Sequence, residues 1–331
     1  MYELNEMNEM NEMNKMWYEH FIEILLERFP KKTQLAQALM DLLSIEREAV
    51  YRRLRKDVMF PADEMVKIAS EWNISLDEII GIHSGKVSFL LQPINYLNPT
   101  EEEMNALKRR IKSLEHLKVT PDSEYMVIFN HLTRSLTAGF KYLYKFNVFK
   151  WAYQYRNEEL NMKYSEIVIP EEVRQVMSSY YRLMKQVKNT SYVLEYGIFE
   201  YLVRDIQFFH SILLVSDEEK ELIKQDLHKL LDYLLEIANT GYFPETKNKV
   251  QLYVSMININ TNYSYFYTEK LKTFRVHAFN MYDIYTFNPK MIEVFRSWML
   301  LKKRTSLQIS EVDEKSRIEF FMRQRQLVDS L

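Results

Sequence analysis

The stretch Thr33–Lys56, which reads TQLAQALMDLLSIEREAVYRRLRK, constrains the fold of this chain more than any other. Its first part carries leucines at helical spacing and ends at a break around Ser44 and Ile45. A second short helix is predicted after the break, with Val50 and Leu54 one turn apart on its buried side. Two short helices joined by a turn of this length predict a helix-turn-helix.

Residues 31–81 resemble the Xre/Cro/lambda-repressor-like helix-turn-helix domain, and most of all the variety whose second motif helix ends in VYRRL, here Val50–Leu54. The flanks fit as well, because helices are expected over Trp17–Phe29 and Pro61–Trp72. The run ISLDEIIG at Ile74–Gly81 then closes the domain with a serine cap and a terminal glycine. The resemblance covers about the first quarter of the chain and implies a five-helix DNA-binding domain.

Two residues depart from the pattern of that family. Met40 stands where a small alanine is usual at the helix–helix contact, and Ser44 stands where glycine is common in the turn. Neither residue forbids the motif, because methionine adapts its shape in packing.

The helix-turn-helix geometry assigns DNA contacts to both motif helices. Phosphate contacts are expected from Lys32, Thr33, Gln34, Arg53 and Arg55. Base-edge contacts are expected from Arg47, Glu48 and Arg52, because arginine to guanine is the commonest specific pairing. Tyr51 either reaches a phosphate or packs inward. Double-stranded DNA is therefore the expected partner.

The charge of the chain restricts any nucleic-acid contact to a local surface. The formal net charge is −2 at pH 7, which argues against a polyanion-binding protein as a whole. Residues 31–56, however, contain seven Lys and Arg against three Asp and Glu. The basic charge forms a stripe on the second motif helix, as expected of a domain that reads DNA with one face. A merely solvated helix is the alternative interpretation.

Composition excludes several other classes of protein. Of the 331 residues 47% are hydrophobic and 14% aromatic, so the bulk is globular, and the absence of cysteine excludes disulfides, thiolate zinc sites and cysteine nucleophiles. No run of eighteen apolar residues is present, and the first residues are too polar for a signal peptide. We therefore expect a soluble, cytoplasmic protein without a membrane partner.

The sequence contains no recognisable catalytic motif. The five glycines are scattered singly, so no glycine-rich phosphate loop is predicted, and the seven histidines show no metal-ligand spacing. His210, in an aromatic run, is more simply a core residue than a base. We predict no enzymatic activity, no cofactor and no metal.

The remaining sequence divides by composition. Residues 1–16, with three NEM repeats, are predicted to be a disordered or helix-extending tail before a DNA-binding domain at 17–82. Residues 83–99 are predicted to be a linker, with a short strand or docking segment as the alternative. Residues 100–331 form the predicted regulatory and dimerisation domain, helical over 100–243 and α+β over 244–331.

The fold class expected is mainly α, with a small antiparallel sheet of three or four strands near Val250–Phe287 and C-terminal helices. The region from these strands to the SRIEFFMRQRQ run also resembles the tail of helix-turn-helix regulators from Bacteroidetes. Aromatic residues favour either plain packing or a ligand cavity in this domain. The candidate cavity residues are Met184, Tyr192, Tyr196, Tyr201 and Phe208.

Together these features predict a homodimeric, sequence-specific transcriptional regulator with an unknown small-molecule or peptide effector. A homodimer is expected because one short helix reads too few base pairs. Two alternatives stay open. One is a non-enzymatic protein-interaction scaffold, and the other is a peptide-sensing regulator built from helical repeats.

Overall fold

The chain forms two compact units, one extending through Ser88 and the other from Phe89 to Leu331. The computed structural model describes residues 17–26, 28–29, 31–72, 74, 76, 79, 87–155, 162–269, 271–278 and 281–331. The predicted tail at 1–16 lies outside the described residues. The observed division falls inside the segment predicted as a linker, and Ile94 and Tyr96 of that segment are buried in the core of the second unit.

All the regular secondary structure described in the first unit is helical. Its helices are α1 (17–26), α2 (Lys32–Leu43), α3 (Arg47–Leu54) and α4 (Ala62–Trp72). Their apolar positions recur every three or four residues and converge on one core, which includes Phe21, Leu39 and Ile68. The closing helix predicted at 74–81 lies largely outside the described residues.

The turn between α2 and α3 depends on a left-handed residue. Ser44 ends α2 with φ 54° and ψ 43°, and its N–H donates to the carbonyl of Met40 at 2.9 Å. This conformation explains why glycine is favoured there, since a Cβ atom is strained at positive φ. Met40 itself is half-buried against the core, so the methionine fits the helix–helix contact.

The second unit contains an eight-stranded mixed sheet, counted over its described residues. The strands are β1 (Leu90–Leu91), β2 (Glu124–Phe129), β3 (Asn189–Glu195), β4 (Lys249–Ser255), β5 (Tyr263–Tyr267), β6 (Lys272–Ala278), β7 (Tyr282–Thr286) and β8 (Leu307–Gln308). The helices are α5 (Glu101–Glu115), α6 (Arg134–Thr137), α7 (Lys141–Tyr155), α8 (Glu171–Met184), α9 (Ile198–Ser211), α10 (Asp217–Thr240), α11 (Pro289–Arg304) and α12 (Glu314–Asp329). Short 3₁₀ turns occupy His116–Lys118 and Tyr164–Glu166.

The strand order is β1-β7-β6-β5-β2-β3-β4-β8. Strands β2, β3 and β4 are parallel, and α6 to α8 and then α9 and α10 connect them. On the other side of β2, strands β5, β6 and β7 form an antiparallel meander. The chain therefore extends the sheet first to one side of β2 and then to the other.

The two faces of this sheet pack against different helices. Alternate residues of β2 point in opposite directions, so Val127 joins the large core with most of the helices, and Met126 joins a smaller core with Ile292 and Met299 of α11. Both faces of β2 and β3 are buried, which is the usual state of parallel strands.

The helical prediction for 100–243 is wrong where β2 and β3 lie within it. Strands buried on both faces are continuous apolar runs without alternation, and such runs cannot be distinguished from buried helix by periodicity. The combination of helices and sheet is confirmed, but the small sheet predicted near Val250–Phe287 is one part of a larger one, and β4 pairs in parallel with β3. Since strands separate the helices, the helical-repeat alternative loses its structural basis.

Candidate DNA-binding surface and a basic cavity

Helix α3 presents a polar face opposite its buried side. Val50 and Leu54 are 0% and 3% exposed and hold the helix against the core of the first unit. Arg47, Glu48 and Arg52 are exposed, as expected of side chains that could reach base edges. The structure therefore places the three predicted base-edge residues together on one exposed helix.

Arg47 and Arg52 differ from Arg53, Arg55 and Lys56, because neither forms an ion pair among the described residues. The Arg47 guanidinium lies over the ring of Tyr51, 5.6 Å from its centroid. Tyr51 is predicted either to reach a phosphate or to pack inward. It is half-buried against the core, so it packs inward in part and keeps part of its surface accessible. The two arginines are the free positive charges of α3.

The start of α2 offers a second exposed set. Lys32, Thr33 and Gln34 are all exposed within the first turn of this helix, which contains no acidic residue. The unpaired N–H groups and the dipole of a helix N-terminus favour phosphate oxygens. The arrangement is compatible with the phosphate contacts expected for these three residues.

Arg53, for which a phosphate contact is predicted, is paired with a carboxylate inside the first unit. Its Nη2 donates to Oε1 of Glu64 at 2.9 Å, and its Nε lies 2.8 Å from Oε2. The two side chains are 15% and 13% exposed, and the guanidinium also lies over the ring of Phe60. Arg53 therefore joins α3 to α4, and its guanidinium is less accessible than those of Arg47 and Arg52. Sequence could not show this, because Glu64 lies on the next helix.

Arg55 is exposed but paired with two carboxylates. It bonds Oε1 of Glu48 at 2.9 Å and Oδ2 of Asp57 at 3.0 Å, and these bonds raise its pKa. Exposed pairs of this kind are weak, because both partners are well solvated. A phosphate group could displace the carboxylates, which would also release Glu48.

The second unit contains a cavity of about 60 Å³ between the sheet and the helices that cover one of its faces. The strands contribute Tyr125, Val127, Ser264, Arg275, His277 and Asp283, and the loop after β2 contributes His131, Leu132 and Thr133. The covering helices contribute Arg134, Asn147, Lys150, Tyr180, Ile198, Tyr201 and Leu202. Sequence analysis missed nearly all of these residues, because they come from separate segments and form no local motif.

Of the five aromatic-cavity candidates, the structure brings only Tyr201 to this cavity. Met184 and Tyr192 are buried in the main core, and Tyr196 packs against Phe320. Phe208 is half exposed at 50%. Four of the five candidates therefore do not line this cavity, and three of these four contribute to packing instead.

The polar side chains at the cavity form a hydrogen-bonded network centred on Arg134 and Asp283. Arg134 donates from Nη2 to Oδ2 of Asp283 at 2.5 Å and from Nη1 to the hydroxyl of Tyr96 at 2.8 Å. Nδ1 of His277 lies 3.0 Å from the other oxygen of Asp283. Burial alone would raise the pKa of Asp283, but Arg134 and His277 outweigh burial and hold that pKa well below its usual value.

His131, at the mouth of the cavity, keeps part of its surface exposed and stacks on Tyr201 with 6.0 Å between ring centroids. Burial of the ring and the positive charge of Lys150 lower its pKa, which favours the neutral imidazole. The fixed charges of the cavity are therefore Arg134, Arg275, Lys150 and Asp283.

Two further searches were limited to the part of the chain that the structure describes. There, no cluster of three or more His, Cys, Asp or Glu side chains is placed to hold a metal ion. None of the described helices is long and apolar enough to cross a membrane. Comparison with protein-family models, with curated proteins and with solved structures finds no match to this chain.

Proposed function

We propose that this protein is a sequence-specific DNA-binding transcriptional regulator that reads the major groove with α3. The observation that supports the proposal is the pair of exposed arginines, Arg47 and Arg52, which have no carboxylate partner among the described residues. They stand on the second helix of a helix-turn-helix, the element that enters the groove in proteins of this geometry.

The proposed roles follow the exposure of each side chain. Arg47 and Arg52 donate to guanine O6 and N7. Arg55 leaves Glu48 to bind a DNA phosphate, and the freed carboxylate of Glu48 accepts from cytosine N4. Lys32, Thr33 and Gln34 contact the backbone of the DNA and set the orientation of the domain. Arg53 does not take part.

The protein acts as a homodimer in this proposal. One helix of eight residues reads few base pairs, whereas two copies read half-sites about 34 Å apart and multiply their specificity. The second unit is the proposed site of dimerisation and of effector sensing. Sedimentation of the full chain at micromolar concentration, with and without operator DNA, tests this part, and a monomer under both conditions contradicts it.

The DNA-binding proposal is tested by selecting bound sequences from a random DNA pool with the full chain. Arg47→Ala and Arg52→Ala should each weaken binding to the selected operator by about 1–3 kcal/mol and relax specificity at one position. Arg304→Ala, which removes an exposed arginine of the second unit, is the matched control and should bind like the parent.

Circular dichroism of each variant should match the parent, because both arginines are exposed on α3. If no sequence is enriched, or if both variants bind the operator like the parent, the proposal fails. The protein-interaction scaffold is then the function to be tested next.

A further inference from the structure

The cavity of the second unit lies at the carboxyl ends of the parallel strands β2 and β3. His131 and Thr133 follow β2 directly, and Ile198 and Tyr201 belong to the helix that follows β3. The chain extends the sheet to opposite sides of β2, so this end is also a point where the direction of the topology changes. Open α/β sheets bind ligands at such positions.

The strand register brings Arg275 to the floor of this cavity. Val127 pairs with Ser264 and Ser264 pairs with Arg275, so these three residues form one row across three adjacent strands. His277 and Asp283 form the next pair along the same face. The single carboxylate of the lining is thus one row away from Arg275.

That carboxylate is already occupied. Asp283 accepts from Arg134 at 2.5 Å and lies 3.0 Å from the ring of His277. Arg134 in turn is satisfied by Asp283, by the hydroxyl of Tyr96 and by the carbonyl of Met281. Both oxygens of Asp283 are therefore taken by Arg134 and His277, so this carboxylate acts on Arg275 only at longer range and forms no ion pair with it.

Arg275 is a largely buried cation that forms no ion pair among the described residues. Among the described residues it forms no hydrogen bond or ion pair through its side chain, and its Nε has no accessible surface and no acceptor. Its guanidinium lies over Phe266, 5.1 Å from the ring centroid. Burial and the nearby Arg110 both lower its pKa, so its surroundings disfavour the positive charge. An unpaired buried charge is costly unless another group supplies the counter-charge.

Lys150 adds a second cation with spare donors. Its ammonium donates to Asp205 at 2.8 Å and its side chain is 11% exposed. An ammonium group has three protons, so two stay available for a ligand. The lining also contains the neutral donors Thr133, Asn147 and Ser264. The cavity therefore combines an excess of positive charge with several hydrogen-bond donors.

We propose that this cavity binds a phosphate group, with Arg275 and Lys150 as its principal ligands. The volume of about 60 Å³ holds roughly four to six water molecules at about 10–15 Å³ each, close to the five heavy atoms of phosphate. Arginine and lysine are the side chains that proteins use for phosphate oxygens. The group belongs either to free inorganic phosphate or to a small phosphate monoester, because His131 and Tyr201 of the lining are exposed to solvent.

The test is calorimetric titration of the full chain without DNA, at constant ionic strength, with inorganic phosphate, glycerol phosphate and acetate. Inorganic phosphate or glycerol phosphate should bind with one site per chain, and acetate should bind at least about tenfold more weakly. Arg275→Gln and Lys150→Gln should each weaken phosphate binding at least about tenfold. Arg304→Gln and Arg47→Gln are the controls and should leave it unchanged.

The probes distinguish the sources, since binding of inorganic phosphate supports the free ion and binding of glycerol phosphate alone supports a monoester. A second readout separates a ligand from a structural role. Without phosphate, Arg275→Gln should be at least as resistant to heat as the parent, because the substitution removes an unpaired charge and its repulsion with Arg110.

Several results would overturn the proposal. They are no binding of either phosphate probe, acetate binding as tightly as phosphate, phosphate binding that survives both cavity variants, and loss of binding in Arg47→Gln. The last result would place the anion on the surface of α3. Because DNA is absent from the titration, a failure of this proposal leaves the proposed DNA binding untouched, and the reverse is also true.

Discussion

Replacement of Glu64 tests the structural role of the ion pair between α3 and α4. In Glu64→Ala the guanidinium of Arg53 keeps two contacts among the described residues, the carbonyl of Ala49 at 3.2 Å from its Nη1 and the face of Phe60. Both charged side chains are about six-sevenths buried, at 15% and 13% exposure. The variant therefore leaves a mostly desolvated cation without its carboxylate.

The magnitude follows from this burial. Removing one partner of a fully buried ion pair costs about 3–5 kcal/mol. Since the Arg53–Glu64 pair retains some solvent contact, we expect the lower end, about 3 kcal/mol, for the first unit. At about 1.4 kcal/mol for each factor of ten, this loss makes opening of the unit about 100-fold more frequent.

Hydrogen–deuterium exchange of the full chain, followed by mass spectrometry, measures this opening locally. Peptides from α3 and α4 should exchange about 100-fold faster in Glu64→Ala, and peptides from the second unit serve as an internal reference. Asp63→Ala is the matched control, because Asp63 is an exposed acid in the same first turn of α4. Asp63→Ala therefore removes a negative charge that interacts favourably with the helix dipole, as Glu64→Ala does, but it leaves the ion pair with Arg53 intact.

Two outcomes would refute the reasoning. One is exchange in α3 that stays within about threefold of the parent, and the other is an equal acceleration in Asp63→Ala. A double variant, Arg53→Met with Glu64→Leu, gives a further check, because replacing both partners with apolar residues of similar size is often neutral or stabilising. If the double variant exchanges as fast as Glu64→Ala, the loss comes from packing and not from the unpaired charge.

Two further predictions concern the turn and the cavity. Ser44→Gly should stabilise the first unit by about 0.5–1 kcal/mol, because Ser44 has φ 54° and left-handed backbone is costly for a residue with a Cβ atom. Slower exchange in α2 checks this, and Ser44→Val should show the reverse. The pKa of Asp283 is held below its usual value, so its pairing stabilises the protein at neutral pH and is lost as pH falls below about 4. Urea unfolding from pH 5 to pH 2.5 should therefore depend less on pH in Asp283→Asn than in the parent, and parallel profiles would contradict the assignment.

The sequence by itself determined the local structure of the first unit. The two helices predicted within Thr33–Lys56, on either side of a break around Ser44 and Ile45, are observed at Lys32–Leu43 and Arg47–Leu54. These elements are amphipathic and short, so the spacing of their apolar residues carries the information needed. The exposure of Arg47 followed in the same way, since it lies opposite the buried side of its own helix.

Only the tertiary structure decided the roles of residues whose partners lie elsewhere in the chain. Arg53 and Arg52 are neighbours of the same type, yet Arg53 faces Glu64 on another helix and Arg52 stays exposed. Likewise, β2 is recognisable as a strand only when its pairing partners are known, because its apolar run lacks alternation.

The cavity depends still more on topology. Arg275 occupies a strand that reads as an ordinary alternating segment, and nothing near it in sequence shows that its charge is unpaired. The pairing of β6 with β5 and of β5 with β2 brings it beside residues more than a hundred positions earlier in the chain. Asp283 is hydrogen-bonded to Arg134, and the Nε of Arg275 has no acceptor among the described residues, because long-range strand pairing determines which charges meet inside the protein.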